Sequence, residues 1–184
     1  VKPEPCAARE PGHDRSSTAA RPTPPSDRGR RRPRRRRLRP ALAAYYDAWD
    51  GYQAERNALL QEFAGVRNPV VLCGDRHLTM VRDLSRDFAD PESAVVGAEF
   101  VGTSVSSDGD QDQAAFHAQW DPLKADNPHG KVVDAHRGHH LFGIGRDGLD
   151  AQVRIVDTVL APESAASTLA RLRVEPGEPG VRAV

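Results

Sequence analysis

Between Ala43 and about Gly65, apolar side chains recur at helical spacing: Trp49, Tyr52, Leu59, Leu60 and Phe63 share one face, and Gly65 supplies a stop. Asn68-Pro69 breaks that pattern. Val70-Val-Leu-Cys73 follows as a short unbroken apolar run, the signature of a strand buried on both faces. Further strands are predicted over Val95 to Val101, Lys131 to Asp134, His140 to Ile144, Ala151 to Val159 and Thr168 to Val174. Arg146-Asp-Gly148 separates two of these runs and reads as a hairpin turn in which the glycine takes the positive φ. Residues 102–130 are polar and glycine-bearing, which predicts a long loop with a short helix near Gln113 to Trp120. No internal repeat is visible. One helix followed mainly by strands gives a mixed α/β domain.

Composition divides the chain. Its 184 residues carry 26 basic and 26 acidic side chains, yet residues 1–40 hold 13 of the basic and four of the acidic ones. The first forty residues are therefore at +9 and the remainder at −9. With eight prolines and seven apolar residues, that first stretch cannot bury enough surface to offset the entropy of ordering, so a disordered basic tail is expected over 1–40 and the folded domain over 41–184. The run Arg28 to Arg39 suits phosphate neutralisation, and a noncatalytic nucleic-acid-binding module is the alternative reading of the chain. A solvated tail and a stretch foreign to the domain are the plainer accounts, and nucleic acid is not expected as a partner. The arginines precede Pro40-Ala-Leu-Ala-Ala44 and a polar, aromatic stretch, which is no export segment. No run of 18 apolar residues exists, so no membrane-spanning helix is expected. Cys6 and Cys73 are too few and too differently placed for a disulfide framework.

The chemistry concentrates where the run Val70 to Cys73 passes into Gly74-Asp75-Arg76-His77. A strand delivers its backbone rigidly to a sheet edge, glycine lets the chain turn, and a carboxylate and an imidazole two residues apart can converge on one cation. Oxygen and imidazole donors suit iron, zinc and manganese. The spacing alone equally admits a turn with a solvated aspartate and a hydrogen-bonded histidine. His129, closing the polar loop in Asn127-Pro128-His129, is a candidate ligand, acid or phosphate donor, or a plain surface residue. His136, Arg137, His139 and His140 form a cationic cluster suited to phosphate, or else an exposed strand start. Asp108-Gly-Asp-Gln-Asp112 lacks the glycine and glutamate of a calcium loop, having Gln113 and Gln119 at those positions. The serines at 104, 106 and 107 lack a nucleophile elbow, and no Walker loop, dinucleotide fingerprint, CxxC pair or HExxH occurs. No catalytic side chain is assigned.

Taken in order, Asp47-Ala-Trp-Asp-Gly-Tyr52, Val70-Val-Leu-Cys-Gly-Asp-Arg-His77, Glu99-Phe-Val-Gly-Thr-Ser-Val-Ser-Ser107, Asn127-Pro-His129, Arg137-Gly138 and Arg154-Ile-Val-Asp-Thr-Val159 carry a resemblance from about Tyr46 to Val181. They resemble the C-terminal part of PhoD-type alkaline phosphatases and phosphodiesterases, a branch of the calcineurin-like metallophosphoesterases. The resemblance implies the C-terminal part of a four-layer αββα sandwich, hydrolysis of phosphate mono- and diesters, and a multinuclear site of iron and calcium. It further implies that Asp75 and His77 are metal ligands, with Asn127, His129 and Arg137 contacting substrate or supporting the ligands. Cations clustered in such a site make a protein nucleophile unnecessary, in keeping with the missing serine constellation.

The departures are specific. The family's upstream ligand motifs, of the GDxxY and GNHE-like kind, and its early cysteine are not found here; Arg76 stands where a small or apolar residue is usual, and His139 where tyrosine is usual. The expectation is a C-terminal fragment, inactive by itself, whose partners are a phosphate ester and an N-terminal half supplying the missing ligands. Members of the family are typically exported.

Overall fold

The computed structural model describes residues 48–109 and 112–184. The expectations for the basic tail, Cys6 and Asp110 lie outside these residues. Two sheets and two α-helices make up the described part: helix α1 (Gln53–Phe63), strands β1 (Val70–Cys73), β2 (Thr79–Ser85) and β3 (Val95–Val101), helix α2 (Gln113–Trp120) with a 3-10 turn over Asp121–Asp126, then β4 (Gly130–Asp134), β5 (Gly138–Gly145), β6 (Gly148–Val156), β7 (Ala166–Glu175) and β8 (Glu178–Ala183). The first sheet has the order β1-β3-β2-β4, with β1 parallel to β3 and the other pairs antiparallel. The second is an antiparallel meander, β5-β6-β7-β8.

Strand alternation decides what each face buries. On β2, Val81 points toward the second sheet, where it joins Ala98 and Phe100 of β3 against Leu149, Ala151, Val153, Leu172, Val174 and Val181. Burying Phe100 or Val153 this completely contributes about 1.5–3 kcal/mol each. The alternate residues face the helices: α1 seats Leu60 against Leu84 and Val96, and α2 seats Phe116 against Leu78 and Ala135. The helix spacing seen in the sequence extends too far, because α1 begins only at Gln53, and Trp49 and Tyr52 are half-exposed in the turn before it.

The described residues stack as helices, first sheet and second sheet, with no further helical layer among them. The outer face of the second sheet presents Asp150, Gln152 and Arg154 from β6 and Arg171, Arg173 and Glu175 from β7. Arg173 bonds Asp150 and Glu175 across that face, 2.7 Å to each. Val70 to Cys73 is a strand as expected, but not one buried on both faces: it has β3 as its sole strand neighbour among the described residues, and Leu72 is 55% exposed.

Two polar clamps lock the sheets together. The Asp83 carboxylate accepts from the backbone N–H of Val181 and pairs with the Lys131 ammonium, both at 2.8 Å, which satisfies a buried charge on a core strand. Asn68, in a left-handed conformation at φ 52°, donates to the carbonyls of Glu175 and Glu178 and accepts from Gly177 N–H. At the β5–β6 turn the sequence expectation holds, with Gly148 at φ 137°.

Candidate functional site

Register brings four strand ends to one edge of the first sheet. Cys73 pairs with Val101, Val101 with Met80, and Thr79 with Asp134, so β1, β3 and β4 finish and β2 begins at the same level. The segments beyond that level are Gly74–His77, Gly102 onward, and Ala135–Arg137.

Within the first of these, Asp75 has φ 72° and His77 φ 55°. The left-handed region costs a residue with a Cβ about 1–2 kcal/mol, less for Asp and His than for most, and such strain clusters at sites where geometry serves function. Asp75 is exposed and His77 half-buried, and among the described residues no hydrogen bond or ion pair engages either side chain. The donors are therefore available: one hard carboxylate oxygen and one imidazole nitrogen suit the iron implied by the resemblance. No cluster of three or more His, Cys, Asp or Glu able to hold a cation occurs among the described residues, so this pair fits part of a coordination sphere and does not close one.

Arg137 belongs to the same edge. The residue is 6% exposed, and Nη1 donates to the carbonyl oxygens of Ala135, at 3.2 Å, and His77, at 3.4 Å. Asn127 and His129 do not join it. Gly130 pairs with Arg82, and His129 accepts from Asp83 N–H through its carbonyl, which puts both residues at the opposite end of β2, about 13 Å from Thr79. There Asn127 caps the 3-10 turn through the Leu123 carbonyl at 2.8 Å, and the His129 ring meets Phe88 edge-on. Burial, then the nearby Arg82 charge, lowers the His129 pKa, so its ring is neutral near pH 7.

The expected cationic cluster is dispersed by the chain's alternation. His139 is exposed and pairs with Arg154 on the outer face, while His140 turns inward against Phe100 and Phe142. Burial, followed by the His139 charge, lowers the His140 pKa. His136 is held by the buried Asp134, whose Oδ1 lies 2.8 Å from both its backbone N and its ring Nδ1. Asp134 was not singled out in the sequence, and neither was His117, whose Nε2 lies 3.8 Å from the other carboxylate oxygen. The one legible signal was a charged residue ending an apolar strand, Val132-Val-Asp134.

Cys73, just before the turn, is free and contacts Glu99 at 3.6 Å, and Glu99 in turn pairs with Arg82. Burial first, and then the Glu99 carboxylate, push the thiol up to about 11, so it carries no thiolate at neutral pH.

The fold is of the two-sheet α/β class, with four strand ends meeting at one sheet edge and the Asp75–His77 turn just beyond them. The model of the family described as PhoD-like phosphatase matches residues 15–153, and the chain belongs to that family. Alkaline phosphatase D of Bacillus subtilis (strain 168) is 34% identical over 140 residues, which are 75% of this chain and 24% of that protein. A solved structure of PhoD superposes with a TM-score of 0.66 at 32% identity, covering 75% of this chain and 26% of that one. The chain thus spans about a quarter of the length of the relatives it matches. The family match begins inside the residues expected to form the tail and ends in β6, whereas the sequence motifs suggested a range from about Tyr46 to Val181.

Proposed function

We propose that this chain forms part of a metal-dependent phosphate mono- and diester hydrolase, in which Asp75 and His77 hold cations at the converging strand ends. Membership in the phosphatase family supports phosphate-ester chemistry. The observation that carries the site is the pair itself: two unengaged donors of the right chemistry, two residues apart, both in left-handed backbone at the end of a strand. Iron and calcium, when bound, supply Lewis acidity toward phosphoryl oxygens and lower the pKa of water. Asp75 would supply a carboxylate oxygen and His77 an imidazole nitrogen as donors. Arg76 adds a positive charge in the same turn, where the family usually carries a small or apolar residue. Asn127 and His129, at the far end of β2, have no part in this edge.

Because the pair fills only part of a coordination sphere, further ligands are required from outside the described residues. A second polypeptide segment is the partner this reading calls for, and the chain alone is inactive or nearly so.

Titrating the full chain with Mn²⁺ while following histidine and aspartate signals by NMR tests the assignment. Asp75→Asn and His77→Ala each weaken binding by tenfold or more, on the order expected for lost ligands, whereas His139→Ala on the outer face leaves it unchanged. Equal weakening by all three variants, or none by the first two, defeats the proposal.

A further inference from the structure

A turn with two side-chain-bearing residues at φ 72° and 55° persists only where its surroundings hold it. The support comes from the next strand end. Asp134 accepts from His136 N–H at 2.8 Å, which bends the chain as it leaves β4 and sends Arg137 back under the Asp75–His77 turn. There the guanidinium bridges two carbonyls, Ala135 and His77, at 3.2 and 3.4 Å. From the other side lies the loop after β3: a Cβ on Gly109 would come within 2.1 Å of Nη2, so a side chain there would push the guanidinium aside.

The geometry points to Arg137 as a positioning residue that fixes the backbone of the Asp75–His77 turn through the His77 carbonyl and so aims both side chains. Its Nη2 is buried without a hydrogen-bond partner, and the residue is 6% exposed, so the head group is closed to a phosphate in solution. Support of the turn, rather than contact with substrate, is the role this burial allows. Both bonds come from the one nitrogen Nη1, and the rigid plane of the guanidinium fixes where that nitrogen lies between the two carbonyls. The significance of the aimed side chains rests on the metal-binding reading above, but the hold on the turn stands independently of it.

The test uses the full chain labelled with ¹³C and ¹⁵N, because Cα and Cβ chemical shifts report the sign of φ at Asp75 and His77. Arg137→Gln is expected to move both residues out of the left-handed range, leave the β5–β8 signals in place, and weaken Mn²⁺ binding about tenfold, typical of a lost supporting contact. Arg137→Lys keeps the charge and gives a smaller displacement in the same direction. Left-handed shifts retained in Arg137→Gln overturn the inference. Should that variant not fold, Gly109→Ala, which keeps the arginine and drives its head group aside, is read in the same way: displaced turn signals support the inference and unmoved ones overturn it. If Mn²⁺ leaves the Asp75 and His77 signals of the unaltered chain untouched, the metal reading fails, and the shift comparison still decides the role of Arg137.

Discussion

Single residues here are set by what surrounds them more than by their type. Two histidines separated by eleven positions, His129 and His140, are both pushed toward the neutral form, mainly by burial. Each folded-state pKa lies below the unfolded value, so the unfolded chain takes up more protons as the pH drops through about 6.5. Stability is therefore full above that point and declines as the medium acidifies toward the folded pKa values. His140→Phe, which keeps an aromatic ring against Phe100 and Phe142, should flatten part of this acid limb in melting curves recorded between pH 7.5 and 5; an unchanged slope would remove His140 as a contributor. Asp75 and His77 show the converse case. Their residue types and spacing were legible as a candidate ligand pair, but the left-handed backbone that presents them was not, because Asp-Arg-His carries no mandatory glycine at either position.

At the level of elements, the strands that were read correctly are those with continuous apolar or alternating patterns, and the two that were missed each carry a local disguise. β2 contains Arg82 and Asp83 in its centre, an arrangement that suggests a solvated segment until Glu99, Lys131 and the Val181 N–H are seen to satisfy both charges. β8 contains Pro179-Gly180, ordinarily a break, tolerated because this strand lies at a sheet edge. Neither partner set is near in sequence, so no window along the chain could reveal them. The Asp83 clamp is predicted to matter accordingly. Asp83→Ala strands a buried N–H on β8 and frees Lys131, with an expected loss of about 1–3 kcal/mol in urea unfolding. A change below about 0.5 kcal/mol would show that β8 is held by packing alone.

At the scale of the whole molecule, the flank of the first sheet at β1 matters most. Among the described residues β1 has a strand neighbour on one side only, and Leu72 beside the other side is 55% exposed. Such an edge invites pairing with another chain. Sedimentation velocity should show concentration-dependent association, reduced by Leu72→Lys, which sets a charge on that edge; identical profiles for the two proteins would place the association elsewhere. Among the described residues, the outer face of the second sheet carries a salt-bridged arginine, Arg173, that is compatible with water.

The uninterrupted order of the second sheet bears on how this protein comes to be assembled. β5 to β8 follow one another through the final stretch of the chain, each pairing with its immediate successor. Loop closure is short at every step, so this meander can form early, at the rate of linked hairpins. The β1–β3 pair must instead wait for the chain to pass through β2, which lies on the far side of β3. Amide exchange during refolding would then register two clocks: early protection from Gly138 onward, and late protection at the strand that delivers Asp75 and His77.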